Sequence, residues 1–269
     1  MELGLKGRVA AITGGSKGIG KAIARALAAE GTDLILMARG KELLERAAVE
    51  ICQEHRVRVT TIVADITSAE SVKAAAATAK NHFATVHILV NNAGGPIRRM
   101  DRQINWPDAD WVDDVNLKTM GMLRVIQAFL PEMPRDGTGR IINISGVAGT
   151  SVWMPALTHG INNAAMNQAT GYLAQDLAAE NITVNAVVPG LVGTEARQVW
   201  AENMAKQQGK TKPEFLKDFC RRMGILDGRW IEMDEVASAV LYLASDRARS
   251  ITGSRLVIDG GFSVNARPA

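Results

Sequence analysis

Short runs of β-branched and other apolar residues alternate along the chain with longer, alanine-rich segments. The first run, Val9–Thr13, is typical of a buried strand, and in the segment 18–30 that follows it Ile19, Ile23 and Leu27 recur at helical spacing. The strand-like runs are continuously apolar and do not alternate with polar residues, which indicates strands buried on both faces. The pattern therefore predicts an α/β fold in which helices cover both faces of a parallel sheet.

The same alternation continues to the end of the chain. Further strands are predicted at 33–37, 57–64, 86–90, 140–144, 183–188 and 255–258, and further helices at 41–54, 111–130 and 163–179. The segment 194–228 departs from the pattern because it is helical, polar and rich in Lys, Gln and Met, and we interpret it as an insertion. No internal repeat or Pro/Gly/Ser linker divides the sequence, so we expect residues 1–269 to form a single domain.

Composition excludes several classes of protein. The 269 residues are 47% hydrophobic and 22% charged, which is ordinary for a globular chain and excludes disordered, collagen-like and coiled-coil proteins. The formal net charge is only +3 and no long run of Lys or Arg occurs, so neither a nucleic acid nor an anionic membrane is a predicted partner. The sequence shows no signal-peptide core, and Cys52 and Cys220 are interpreted as buried thiols of a reducing compartment. A soluble, cytoplasmic protein is expected, and the spacing of the four histidines predicts no metal site.

A glycine-rich segment directly follows the first predicted strand and opens the first predicted helix. Its candidate phosphate-binding residues are Gly14, Ser16, Lys17, Gly18, Ile19 and Gly20. Glycines at such a junction permit a tight turn and close approach of the backbone to a pyrophosphate. The N-terminus of the helix then presents free N–H groups and a positive dipole to the phosphates. This position in a βαβ unit indicates a nucleotide-binding loop.

The spacing Thr-Gly-x-x-x-Gly-x-Gly resembles that of the short-chain dehydrogenase/reductase family. Three further stretches carry the same resemblance: Asn91-Asn92-Ala93-Gly94, Val184-Asn185-Ala186-Val187-Val188-Pro189-Gly190 with Thr194, and Ile258-Asp259-Gly260-Gly261. The resemblance implies a Rossmann-type, doubly wound domain with a seven-stranded parallel sheet and a nicotinamide cofactor. It also implies a homotetramer or homodimer that pairs through the 163–179 helix, and a substrate lid at about 194–228.

Charge favours NADP(H) over NAD(H). NAD enzymes commonly place an acidic residue at the end of the second strand, whereas here that strand ends in Met37-Ala38-Arg39, and Asp33 lies at its other end. Arg39 and Lys17 are expected to pair with the 2′-phosphate. The other cofactor contacts that the resemblance implies are Asp65, Ile66, Asn91, Ala93, Gly94, Asn163, Pro189, Gly190, Val192 and Thr194.

The catalytic positions depart from the family pattern. In this family a Ser, a downstream Tyr and a Lys one helical turn further on carry out the chemistry, with an upstream Asn. Asn116 matches the upstream Asn, but the other three positions align with Gly146, His159 and Asn163. Shifting the register does not restore the set, because the only tyrosines are Tyr172 and Tyr242 and no lysine lies between positions 118 and 206.

Two hypotheses follow from this substitution. The site is inert and the protein binds NADP(H) for regulation, or the chemistry is rebuilt around His159. The second is favoured because a histidine titrates near neutral pH without the neighbouring cation that a tyrosine needs, and a retained lysine would lower the histidine pKa further. Asn163 can still hydrogen-bond a ribose, and Ser145 or Asn116 can contact the substrate oxygen. Turnover is then expected to change in the ordinary histidine pH range.

The predicted function is that of an NADP(H)-dependent oxidoreductase acting on a carbonyl or alcohol, with His159 in place of the usual tyrosine. Two alternatives are a binding protein without turnover and a lyase or isomerase that uses His159 as a base. A dehalogenase-like change is disfavoured, since such relatives lose the glycine loop and keep the tyrosine. Arg98, Arg99 and Arg102 are either selectors of an anionic substrate or a solvated loop, and Trp153 and Met154 are candidates for an apolar substrate wall.

Overall fold

Seven parallel strands form one sheet in the computed structural model, which describes residues 2–95, 102–152 and 156–264. The strands are β1 (Val9–Thr13), β2 (Asp33–Ala38), β3 (Val59–Val63), β4 (Ile88–Asn91), β5 (Arg140–Ile144), β6 (Thr183–Pro189) and β7 (Arg255–Ile258). Their order across the sheet is β3-β2-β1-β4-β5-β6-β7. The chain moves outward from β1 through β2 to β3 and then returns to β4 on the other side, so the order reverses between β1 and β4. Ligands of open α/β sheets bind at the carboxyl ends of the strands beside such a reversal.

Helices cover both faces of this sheet, as the continuous apolar strands predict. In the described residues they are α1 (Gly18–Ala29), α2 (Lys41–Glu54), α3 (Ala69–His82), α4 (Asp108–Val115), α5 (Gly121–Phe129), α6 (Leu157–Asp176), α7 (Glu195–Gln207), α8 (Lys212–Arg222) and α9 (Met233–Ala244). Side chains of β1 alternate between the two layers: Ala10 and Ile12 pack with α1, α2 and α9, whereas Val9 and Ala11 pack with α3, α5 and α6. The expected doubly wound α/β fold with a seven-stranded parallel sheet is confirmed.

Several predicted boundaries differ from those of the structure. The helix predicted at 111–130 is composite: α4 and α5 are joined by one π-helical turn, Asn116–Met120. The helix predicted at 163–179 begins earlier, at Leu157, and ends at Asp176. The pattern missed its first turns because Thr158, Asn162 and Asn163 are polar yet buried there.

The 194–228 insertion folds as α7 and α8, which form a third apolar cluster with Ile225, Trp230 and Phe262. Cys220 is buried in that cluster, but Cys52 on α2 is exposed, so the prediction of two buried thiols is correct only for Cys220. None of the helices described is both long enough and apolar enough to cross a bilayer.

Candidate active site

The glycine loop and the end of β4 are held together by Thr13. Its hydroxyl accepts hydrogen bonds from the backbone N–H groups of Asn92 and Ala93, both at 3.0 Å. The side-chain amide of Asn92 donates to the carbonyl of Thr13 at 3.0 Å. These bonds cross the point where the strand order reverses, so the loop after β4 is fixed beside the loop after β1. Asn92 was not among the predicted site residues, although it lies inside the motif that carried the family resemblance.

The N-terminus of α1 is open to an anion. Lys17 precedes the helix without a side-chain cap, and no acidic residue lies in the first turn. Gly14 and Gly18 have positive φ angles of 69° and 56°, a backbone conformation that side chains disfavour. A Cβ at Gly20 would lie 2.2 Å from the carbonyl oxygen of Gly14, so only glycine lets the loop pack on the helix. The loop therefore fits a pyrophosphate on grounds of both shape and dipole.

Two positively charged side chains lie in the glycine loop and at the end of β2. Arg39, directly after β2, and Lys17 are both exposed, and neither makes a salt bridge with a carboxylate of the described residues. Asp33 is at the opposite end of β2, where its carboxylate pairs with Arg58 at 2.6 Å. Asp65 follows β3; hydrogen bonds from Thr67 lower the pKa of its carboxyl, and the Arg39 guanidinium adds to that shift. This charge distribution fits a 2′-phosphate.

The remaining predicted cofactor residues fall into two groups. Ala93 and Gly94 lie next to the glycine loop, and Pro189, Gly190, Val192 and Thr194 line the cavity described below. Asn91 is different, because its buried side chain donates to Asn143 on β5 at 2.9 Å. Ile66 is buried against Gly121 of α5. The side chains of Asn91 and Ile66 thus support the pocket by packing rather than lining it.

One cavity of about 460 Å³ connects the glycine-loop helix to the predicted catalytic positions. Ile19 lies on its wall at one end, and Ser145, His159 and Asn163 contribute to the same wall. Asn116 does not line this cavity; it begins the π-turn, and its carbonyl accepts from Arg124 at 3.2 Å. The hydroxyl of Ser145 donates to Asn167 at 2.7 Å, so its proton already has an acceptor.

The structure adds a lysine to the site that the sequence analysis missed. The π-turn aims Lys118 and Thr119 at α6, where Lys118 Nζ donates to Asn163 Oδ1 at 3.0 Å and Thr119 Oγ1 donates to Asn162 Oδ1 at 2.7 Å. Lys118 also lines the cavity. A π-turn inside a helix is itself often a mark of a functional site. The only sequence signal was the proximity of Lys118 to Asn116.

Burial and this lysine set the protonation of His159. Desolvation, together with a smaller contribution from the positive charge of Lys118, lowers the pKa of His159 to about 4. The ring Nε2 lies 3.2 Å from the carbonyl oxygen of Gly95. Since a carbonyl only accepts, the neutral ring carries its proton on Nε2. The hypothesis that turnover follows His159 in the ordinary histidine pH range therefore loses its basis, because a ring with this pKa is already neutral at pH 6. The pH dependence of turnover itself stays a prediction.

Asn163 occupies the space above Gly146. A Cβ at position 146 would lie 2.9 Å from Asn163 Nδ2, closer than ordinary packing permits. The φ of Gly146 is 173°, an extended conformation open to any residue, so the space and not the backbone favours glycine here. Gly146, Asn163 and Lys118 thus form one packed unit.

Aromatic residues of the insertion enclose the other side of the cavity. Trp200 of α7 and Phe219 of α8 line it together with Trp230. Trp106 and Trp111 instead pack against each other, with ring centroids 6.1 Å apart, away from the cavity-lining set. Arg102 is exposed. Arg98, Arg99, Trp153 and Met154 lie outside the described residues.

No group of three His, Cys, Asp or Glu side chains in the described ranges is arranged to hold a metal ion. The site combines a phosphate-binding loop, positively charged side chains at the end expected to bind the nucleotide, a group of polar residues in the middle and a wall of aromatic side chains. Such an arrangement fits a phosphorylated dinucleotide with a small substrate at its end.

Comparison with known proteins identifies the family. A family model described as enoyl-(acyl carrier protein) reductase matches residues 14–263. Galactitol 2-dehydrogenase (L-tagatose-forming) of Cereibacter sphaeroides is 38% identical over 262 residues, which cover 97% of this chain and 96% of the relative. L-sorbose reductase from Gluconobacter frateurii, solved with NADPH and L-sorbose, is 30% identical and has a TM-score of 0.90, covering 98% of this chain and 99% of that one. A double mutant of a Serratia marcescens short-chain dehydrogenase/reductase is 32% identical, with a TM-score of 0.83 over 96% of this chain and 99% of that one. The chain belongs to the short-chain dehydrogenase/reductase family.

Proposed function

We propose that the protein is an NADP(H)-dependent oxidoreductase that interconverts a carbonyl and an alcohol, with His159 at the position of the family tyrosine. One observation carries the proposal: a single cavity joins Ile19 of the glycine-loop helix to His159, Asn163 and the wall of aromatic side chains. Its volume of about 460 Å³ is within the usual range for small-molecule sites. When bound, the reduced nicotinamide would supply a hydride to the substrate carbonyl.

The chain's own residues support the choice of NADP(H). The open N-terminus of α1 would hold the pyrophosphate, and Lys17 and Arg39 would pair with the 2′-phosphate, where a carboxylate would repel it. Asp65 and the stretch Ala93–Gly94 would border the adenosine. Asn163 would orient the nicotinamide ribose through its amide.

His159 would act in this site as a neutral hydrogen-bonding group. With Nε2–H donated to Gly95, Nδ1 is left as a buried acceptor with no partner among the described residues. A neutral Nδ1 accepts a hydrogen bond and so would orient a substrate hydroxyl, as required for oxidation of an alcohol. Small polyhydroxylated substrates are the first to test, because the relatives named above include a galactitol dehydrogenase and an L-sorbose reductase.

The segment 194–228 would act as the substrate lid. Trp200, Phe219 and Trp230 would exclude water from the cavity once a substrate is bound. We also propose that the protein is cytoplasmic and assembles as a homodimer or homotetramer through the predicted 163–179 helix, most of which is residues 163–176 of α6. Tyr172 on that helix is 67% exposed in the single chain. Light scattering of wild type and Tyr172→Glu tests the assembly.

A binding protein without turnover is the second candidate. The observation that favours it is the low pKa of His159, which leaves the ring unable to protonate a carbonyl near neutral pH. The same low pKa makes His159 a weak base and so argues against a lyase or isomerase that depends on it.

Direct assay distinguishes these functions. Purified protein is titrated with NADPH and then assayed with ketoses and other carbonyl compounds, and with sugar alcohols and NADP⁺, by following absorbance of the reduced cofactor. His159→Phe is compared with His82→Phe, which changes an exposed histidine at the end of α3. We expect turnover in wild type and in His82→Phe and its loss in His159→Phe. Tight NADPH binding with no turnover on any substrate would favour the binding protein.

A further inference from the structure

We propose that Lys118 is the proton-exchanging group of this site and replaces, from a different helix, the family lysine that is absent at position 163. The proposal rests on the oxidoreductase function above, because it assigns a residue to that reaction. Lys118 comes from the π-turn between α4 and α5, whereas the family position lies on α6. The two positions meet in space although they are distant in sequence.

The contacts of Lys118 place its amine in the reaction cavity. Nζ donates to the buried Asn163 at 3.0 Å, so the ammonium reaches the position that the family pattern gives to a lysine. Its stem runs along the loop after β4, where a Cβ at Gly94 would lie 3.2 Å from Lys118 Cε. One of the three N–H groups is used by Asn163. The others are available on the side chain that lines the cavity.

Charges from three elements act on this centre. Asp114, one turn earlier on α4, stabilises the ammonium of Lys118. His159 on α6 and Arg197 on α7 are neighbouring basic groups, and both line the same cavity. Desolvation exceeds the effect of Asp114, and the pKa of Lys118 is lowered to about 8. A group with this pKa exchanges protons in the range where a general acid or base works well.

His159 and Lys118 therefore have separate tasks. His159 is neutral and can only accept a hydrogen bond at Nδ1, so it orients the hydroxyl of the alcohol form of the substrate. Lys118 is the acid. In reduction, the carbonyl carbon receives a hydride and the carbon–oxygen π pair moves to oxygen, which takes a proton from Nζ and leaves a neutral amine. Water then returns a proton to the amine. In oxidation, the neutral amine takes the hydroxyl proton as the hydride departs to the oxidised nicotinamide.

The position of Lys118 explains why two substitutions, Asn163 and Gly146, occur together. A lysine at position 163 would bring a second ammonium to Lys118, which Coulomb repulsion disfavours in a poorly solvated site. Asn163 removes that charge and gives Lys118 an acceptor. Gly146 in turn provides the space that the Asn163 amide fills. Each of these residues fits a site built around Lys118.

The test uses two substitutions of Lys118 and one control. Lys118→Met keeps an apolar stem without the charge, Lys118→Arg keeps the charge but does not titrate, and Lys73→Met removes an exposed lysine on α3. Reductive kcat/KM is measured from pH 6 to 10. We expect wild type and Lys73→Met to lose activity above about pH 8. Lys118→Met should be lower by a factor of about 100 or more at pH 6 to 7, and this difference should narrow as wild type loses activity. Lys118→Arg should show no decline in that range.

A spectroscopic readout separates this inference from the proposed function. NMR of protein labelled with ¹³C at lysine Cε should show one lysine that titrates near pH 8, absent from Lys118→Met and present in Lys73→Met. The His159 ring should titrate at a higher pH in Lys118→Met, since a repelling cation is gone. A Lys118 midpoint above about 10, or a Lys118→Met variant with wild-type rates and pH profile, would overturn the inference. A midpoint near 8 without turnover on any substrate would contradict the proposed function while supporting an exchangeable proton on Lys118.

Discussion

Asn163 links the residues on which the chemistry of this site depends. Its amide nitrogen lies over Gly146 and its oxygen accepts from Lys118, so a change at either neighbour is transmitted to the other. At this scale we expect that a change at position 146 or 163 cannot be made without disturbing the hydrogen bond to Lys118.

Gly146→Ser should lower activity even though it restores the family residue. The new Cβ would displace Asn163 and weaken the hydrogen bond to Lys118, so we expect reductive kcat/KM to fall by about tenfold or more.

The triple variant Gly146→Ser, His159→Tyr, Asn163→Lys should regain activity only when Lys118→Met is added, because two ammonium groups would otherwise meet. Steady-state assays of the triple and quadruple variants check this. Equal activity in both would show that Lys118 does not repel a lysine at 163.

The low pKa of His159 predicts a pH dependence of stability. The ring titrates near 4 in the folded protein and near 6.5 in the unfolded chain, so the unfolded chain binds the extra proton as pH falls through this window. Protonation then favours unfolding, and this contribution costs about 2 kcal/mol between pH 7 and pH 5. Urea unfolding of wild type, His159→Phe and His82→Phe at both pH values measures it. The loss should be smaller in His159→Phe and unchanged in His82→Phe; equal losses in all three would contradict the low pKa.

Residues near the site differ in how well the sequence predicted them. The positions of His159 and Asn163 follow from local motifs, because the first turns of α6 carry both side chains to the cavity. Lys118 could not be placed in this way. Its contact with Asn163 joins residues from different helices and depends on a π-turn, which shifts the register of the helix and has no hydrophobic periodicity of its own.

Among the elements, α7 and α8 contribute aromatic side chains to the wall of the cavity. They pack on each other through rings, with Trp200 at 5.7 Å from both Phe215 and Phe219 and 6.0 Å from Trp230. Trp200 is still 41% exposed, so one part of its ring anchors the two helices and another faces outward. The insertion was recognised by its break in the strand–helix pattern, but its aromatic packing was not predicted, since the four rings come from separated turns.

Trp200→Ala should weaken substrate binding more than chemistry. Removing the indole opens the cover of the cavity, and we expect KM for the best substrate to rise about tenfold with kcat within a factor of about 3. Val199→Ala, at an exposed neighbour on α7, should change neither constant. Steady-state kinetics and NADPH titration provide the comparison. A fall in kcat with unchanged KM would assign Trp200 to the chemical step.

At the scale of the whole molecule, the carboxylate of Asp246 interacts with two arginines that are distant from it in sequence. Asp246, after α9, accepts from Arg8 Nη2 at 2.5 Å and lies 3.8 Å from Arg140 Nη2 at the start of β5. Arg140 is only 1% exposed, and desolvation together with Arg8 lowers the pKa of its guanidinium. The backbone N–H of Asp246 also donates to Leu3 at 3.0 Å.

Asp246→Asn should destabilise the entire fold. It would remove the carboxylate partner of Arg8 and leave Asp136 as the carboxylate that still acts on Arg140. The cost is about 1–3 kcal/mol, because the Asp246 side chain is itself more than half exposed. Glu54→Gln is the matched control, since its exposed pair with Arg25 joins α1 and α2 and is worth about 1 kcal/mol or less. Urea unfolding of both variants gives the comparison. Equal costs would show that solvent already screens the pair of arginines.

The fold itself was almost fully predictable. Continuous apolar strands separated by amphipathic helices define a doubly wound sheet, and burial of all five β1 residues agrees with that pattern. The Asp246 cluster was not predictable, because its members are far apart in sequence and an isolated arginine in a strand has no distinctive pattern.

The low pKa of Lys118 also predicts that its amine reacts with electrophiles more readily than the amines of exposed lysines do. With a pKa of about 8, about a tenth of Lys118 is unprotonated at pH 7, against well below one in a thousand for an ordinary lysine. Only the unprotonated amine attacks electrophiles, so acylating reagents small enough for the cavity should label Lys118 ahead of the exposed lysines. Aldehydes would react there as well, forming reversible imines in the cavity. Because an imine would block the amine that exchanges the proton, aldehydes should be poorer substrates than ketones. The same amine would give covalent inhibitors a point of attachment.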